Sequence, residues 1–70
     1  MQGYKLTAEQ KNALQGKEYA NNCYFNTVSD INGEYFIFDQ EVEHCVNPDF
    51  SWVKELQLSD YTPPIAGIEI

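Results

Sequence analysis

The chain has no arginine; its four basic residues are Lys5, Lys11, Lys17 and Lys54, set against 11 acids for a formal net charge of −7 at pH 7. No lysine falls between Lys17 and Lys54, whereas Glu18, Asp30, Glu34, Asp39, Glu41, Glu43 and Asp49 all lie in that interval. Such a surface repels phosphate backbones, which argues against direct nucleic-acid binding. It attracts a basic protein surface or simply keeps a small protein soluble. Long apolar runs are missing as well. No stretch approaches the roughly 18 apolar residues of a membrane span. The opening "MQGYKLTAEQ" has no apolar run behind a basic start, so no signal peptide is expected. The expectation is a soluble protein made in cytoplasm.

Residues that carry chemistry are equally sparse. There are two cysteines and one histidine. Cys23 and Cys45 do not make a disulfide framework; in a reducing compartment they read as small buried hydrophobes, with a single bridge as the alternative. His44 adjoins Cys45, but adjacent side chains converge poorly on a metal and no third ligand is evident. No glycine-rich phosphate loop or nucleophile elbow occurs, and the histidine has no spaced nucleophile partner. Asp39, Glu41 and Glu43 fall on a segment read as solvated, where nothing would separate their proton affinities. No enzyme, cofactor or metal site is expected.

What the chain does contain is apolar and aromatic: 43% and 14% of 70 residues, the composition of one small folded domain. "KLTAEQKNALQGKEYANN" opens with Thr7 and Gln10 at capping-box spacing, and predicts a helix over residues 8–21 that ends at Asn21–Asn22. "CYFNTVSDINGEYFIFDQ" then changes to β-branched and aromatic residues around an Asn–Gly dipeptide. This predicts a hairpin with a two-residue turn at Asn32–Gly33, positive φ at both, and the pairs Val28–Ile37, Ser29–Phe36 and Ile31–Glu34. Tyr35, Phe36, Ile37 and Phe38 then place apolar side chains on both faces of the second strand, and something must cover each. Asp39 is read as the cap of a short helix over "QEVEHC". Asn47 caps another, with Pro48 at its first position and Phe50, Val53 and Leu56 or Leu58 on its apolar side, Trp52 nearby. Pro63 and Pro64 forbid helix and predict an extended arm bearing Ile65, Ala66, Ile68 and Ile70.

The hairpin also has a metal-loop look. With Gly33 at the sixth position of a calcium loop, Asp30 and Asn32 fall at the third and fifth. The first position is then Val28, which cannot ligate, and the twelfth is Asp39, short for bidentate reach. A turn is the better reading.

These segments assemble into an α+β expectation: an N-terminal helix, a β-hairpin, a short C-terminal helix and an extended C-terminal arm. Residues 1–62 form one small domain and residues 63–70 the arm. In its brevity, its acidity and its "LTAEQKNALQG", "YFNTVSDINGEYFI" and "NPDFSWVKEL" segments, the chain resembles the short accessory proteins of tailed bacteriophages. That resemblance implies either a small virion part or an inhibitor of a host defence or host enzyme; a generic acidic adaptor is a third, non-viral reading. The expected function is structural: a protein made in the host cytoplasm that docks on a larger viral protein of the capsid or tail, in many copies, and resides in the virion. The expected contact residues are Tyr35, Phe36, Phe38, Trp52, Ile65, Ile68 and Ile70. No cofactor, nucleic acid or membrane is implied.

Overall fold

In the computed structural model, residues 1–64 are described. A short strand at the very start, β1 (Gln2–Leu6), runs through the middle of a four-stranded antiparallel sheet ordered β4-β5-β1-β6. β4 is Val28–Ser29, β5 is Tyr35–Ile37 and β6 is Leu58–Asp60. Between β1 and β4 lie the helix α1 (Ala8–Leu14) and a two-stranded ribbon of β2 (Glu18–Ala20) and β3 (Cys23–Tyr24). Helix α2 (Asp39–Glu43) and a 3₁₀ segment, Pro48–Glu55, connect β5 to β6.

Helix α1 begins where its cap dictates. The Thr7 hydroxyl accepts the Gln10 N–H at 3.0 Å, and the Gln10 side chain accepts the Thr7 N–H at 2.9 Å. It ends a full turn and more before the expected residue 21. Gly16 adopts φ +76, which an L side chain resists, and the chain reverses there. Lys17 N–H donates to Leu14 and Phe25 N–H to Lys17, so "KEYANN" opens the ribbon instead of extending the helix. Asn21–Asn22 is the ribbon's turn. Asn22 sits at φ +61, a conformation Asn tolerates better than most, and its N–H is held by the Glu18 carboxylate at 2.7 Å.

The hairpin forms, one residue out of the expected register. Val28 faces Phe36 and Ser29 faces Tyr35. The connection is the three residues Ile31, Asn32 and Gly33, with only Gly33 at positive φ (+82). Asp30 decides this. It is 4% exposed, and its Oδ1 accepts from the Asn32 N–H at 2.9 Å and the Glu34 N–H at 3.0 Å. Those bonds, with Asp30 N–H donating to Glu34 and Gly33 N–H to Asp30, fix a wider turn than Asn–Gly alone implies. The carboxylate that suggested a calcium loop is the turn's anchor.

At α2 the cap is Phe38, not Asp39: its N–H donates to the Glu41 carboxylate at 3.1 Å, the reverse half of a capping box. Asn47 caps the 3₁₀ segment as expected, accepting the Asp49 N–H at 3.0 Å. Of the cysteines, Cys45 is buried and Cys23 is exposed; both are free thiols. Cys23 is therefore not the buried hydrophobe expected.

Cross-strand pairing sorts the sheet into two faces. Tyr4 opposite Ile37 and Leu6 opposite Tyr35 lie on one. There Leu6, Leu14, Tyr19, Phe25, Ile37, Val42, Cys45 and Val53 form the core, drawn from strands, helices and ribbon alike. Leu14, Ile37 and Val53 are fully buried, each worth about 1.5–3 kcal/mol of transfer free energy. Lys5 opposite Phe36 belongs to the other face. Phe36 is fully buried there, beneath Tyr61 at 5.1 Å between ring centroids; Phe38 meets the same Tyr61 ring at 5.1 Å from another side. Tyr61 belongs to the chain just past β6. Its N–H donates to Met1 and its hydroxyl to the Ser29 carbonyl, while the Thr62 carbonyl accepts from Ile31. A two-residue strap thus ties one edge of the sheet to the other and covers Phe36 on its second face.

Two substitutions test this architecture. A Cβ on Gly3 would lie 2.9 Å from Phe38 Cε1 and 3.1 Å from Phe36 Cδ2. Gly3→Val is expected to cost about 1–3 kcal/mol by overpacking, read from urea denaturation. Asp30→Ala orphans two turn amides and is expected to cost about 2 kcal/mol. An unchanged midpoint in that variant would remove Asp30 as the turn's anchor.

Candidate interaction surface

Helix α2 carries the acids of "DQEVE", and the fold divides them between two concave surfaces. Asp39 and Glu43 face one way, Gln40 and Glu41 the other. The first cleft, about 420 Å³, is lined by Tyr4, Asp39, Val42, Glu43 and Lys54. The second, about 380 Å³, lies between the ribbon, β4 and α2, and is lined by Tyr19, Tyr24, Asn26, Val28, Phe38, Gln40 and Glu41.

Local structure explains both. Helix α2 starts directly after β5, so its first residues leave the end of the sheet beside Tyr4, which pairs with Ile37. Val42 turns into the core, leaving Asp39 and Glu43 on the cleft side. Glu41 is clamped on the opposite side: one oxygen accepts the Phe38 N–H, and the other accepts the Asn26 N–H at 2.6 Å. A charge-assisted pair of bonds, one local and one from 15 residues away, fixes this carboxylate in place. It also pins the chain between β3 and β4 against α2.

Two tyrosines respond to these surroundings. The Tyr4 hydroxyl is pushed above its ordinary value of 10.0, first by burial, then by the neighbouring Asp39 carboxylate and then by Glu43. Tyr19, 8% exposed, is also pushed up, by burial first and then by Cys23 and Glu41. In each case a phenolate would be desolvated next to existing negative charge, so the hydroxyl keeps its proton.

The expected contact residues are scattered by the fold. Phe36 is wholly enclosed beneath Tyr61 and offers no surface. Tyr35 and Trp52 are half-buried against the core. The Lys11 ammonium stands 5.2 Å over the Tyr35 ring, and Trp52 meets Phe50 edge-on at 6.4 Å. Among the described residues of this set, Phe38 lines the second groove. Ile65, Ile68 and Ile70 lie outside the described residues. Tyr24, Val28 and Glu41 were not anticipated, although the two-residue period of "CYF" marks Tyr24 and Phe25 as facing opposite ways.

The other large apolar residues left exposed among the described residues are Met1, Ile31, Val46 and Leu58; the Val46 N–H donates to Tyr19. The lone ion pair found among the described residues, Lys5 to Glu34 at 3.0 Å, is solvent-exposed on both sides and adds little. No family model, curated protein or solved structure matches the chain.

The tyrosines make a pH prediction. A folded-state value above the unfolded one stabilises the fold fully below about pH 10, and that contribution is lost as pH rises through the folded value. Urea midpoints should therefore fall above about pH 10, and fall less steeply in Tyr19→Phe. An identical slope in that variant would show that Tyr19 titrates freely.

Proposed function

We propose that this chain is a non-enzymatic structural protein, a small virion component of a tailed bacteriophage that docks on a larger viral protein through its C-terminal arm. The observation that carries this reading is that residues 1–62 already cover the fully buried apolar side chains of both sheet faces. The core fills one face, and the Tyr61 strap fills the other. The hairpin's second apolar face, which demanded a cover, has one within the chain.

Residues 65–70 carry three isoleucines, Ile65, Ile68 and Ile70, which the docking reading assigns to a partner. Burying three isoleucines against a partner contributes several kcal/mol at about 25 cal/mol per Å². Extended arms that lie along a neighbour are a common way to join subunits. The resemblance of the "LTAEQKNALQG", hairpin and "NPDFSWVKEL" segments to phage accessory proteins supplies the viral setting, with synthesis in the host cytoplasm and residence in the particle in many copies.

Surface charge favours a second reading. Glu9, Glu18, Asp39, Glu43, Asp49, Glu55 and Asp60 are all exposed. Such a surface suits an acidic inhibitor of a host nucleic-acid-binding protein. Displacement of DNA from a basic host protein by the purified chain would favour the inhibitor over the virion component.

Deleting residues 63–70 tests the docking reading. The truncated chain is expected to keep its circular dichroism and thermal midpoint, and to lose cosedimentation with phage particles in a density gradient. Unfolding of the truncated chain would place the arm in the domain's own core and remove the reading's support.

A further inference from the structure

The groove between the ribbon, β4 and α2 differs in kind from the cleft on the other side of the helix. The cleft has Lys54 in its lining along with Asp39 and Glu43. The groove has no basic residue in its lining. It has three aromatic rings, Tyr19, Tyr24 and Phe38, and the Glu41 carboxylate. Tyr24 is 57% exposed, an unusual position for a large ring in a chain with so small a core.

Glu41 is held at both oxygens by backbone N–H groups, 3.1 Å from Phe38 and 2.6 Å from Asn26. Each carboxylate oxygen retains acceptor capacity after one such bond. The groove therefore presents an oriented anion next to aromatic side chains. Ring faces attract organic cations through their quadrupole at distances up to about 6 Å. An ammonium already stands over a ring elsewhere in this fold, Lys11 above Tyr35 at 5.2 Å.

We infer that this groove receives a lysine or arginine side chain from a basic segment of a protein partner, with the cationic head at Glu41 and its stem along Tyr24 and Phe38. The inference rests on the docking reading above and names the chemistry of the surface on which the chain docks. Charge complementarity selects the occupant. A net charge of −7 draws a basic segment in and repels nucleic acid. Long basic side chains bury their methylenes on apolar walls while their heads meet polar groups, which matches an aromatic groove with one carboxylate.

The test is a titration of the ¹⁵N-labelled full chain with a synthetic peptide of alternating lysine, arginine and glycine. A glutamate peptide of equal length and spermine serve as comparisons. Amide shifts are expected to concentrate at Tyr24, Asn26, Val28, Gln40 and Glu41, with none from the glutamate peptide. Tyr24→Leu keeps an apolar side chain at an exposed position and is expected to weaken the basic peptide roughly fivefold, the loss of one exposed cation–π contact. Tyr24→Phe keeps the ring and should bind as the parent does. Shifts spread evenly over the exposed carboxylates, or equal affinity in Tyr24→Leu, would overturn the inference. Spermine shifting the same amides as strongly would also overturn it, making the groove a polyamine site. The titration needs no phage particle, so it can fail while the arm still docks, and the arm can fail while the groove still binds.

Discussion

Much of this structure depends on the close approach of two aromatic rings to a strand that carries no side chain where they meet it. Gly3 lets Phe36 and Phe38 come down onto β1, and Tyr61 then meets both rings and completes the burial of Phe36. A domain of this size buries too little surface to leave an aromatic strand face open. Closing that face from within gives it a second apolar layer at the expense of two residues of chain. The strap also converts two vulnerable sheet edges into linked ones, because its hydrogen bonds reach Met1, Ser29 and Ile31.

The same economy appears among the polar groups. Asp30 and Glu41 each hold two backbone N–H groups with one carboxylate, Asp30 within its own turn and Glu41 across 15 residues of sequence. Every buried side-chain polar atom among the described residues has a partner. In an acidic chain this gives some of the acids structural work: they replace secondary-structure hydrogen bonds that elements of two to five residues are too short to supply. What is left over, on α2 and beyond, is presented to solvent and to whatever docks there.

The surface follows from this division. Because α2 is a single short turn wedged between sheet and ribbon, its acids must point to opposite sides. One side has Lys54 in its lining, and the other is walled by aromatic residues. An acidic composition alone implies a uniformly repulsive skin; the fold instead produces two concave surfaces of different chemistry.

Local signals were legible in the sequence wherever a few adjacent residues decide the outcome. The Thr7–Gln10 capping box, the Asn47–Pro48 start, the existence of a hairpin around Gly33 and the α+β class all follow from short-range hydrogen bonding and steric preference. The failures share one cause. "KEYANN" has adequate helix propensity, yet Tyr19 is drawn into the core against Phe25, 4.9 Å away, and Gly16 permits the reversal. "QGYKL" shows a mild alternation that no local rule promotes to a central strand, and only pairing with β5 and β6 makes it one. The hairpin register moved by one residue because the burial of Asp30, a tertiary event, outweighed the turn preference of Asn–Gly. The groove at Glu41 was invisible for the same reason: its walls come from residues 19 to 41, and only packing brings them together. Sequence determines what each short segment prefers within hydrogen-bonding reach of itself. Which preferences survive, and which side chains end up facing one another, was decided by the burial of apolar surface, a quantity that belongs to the whole chain.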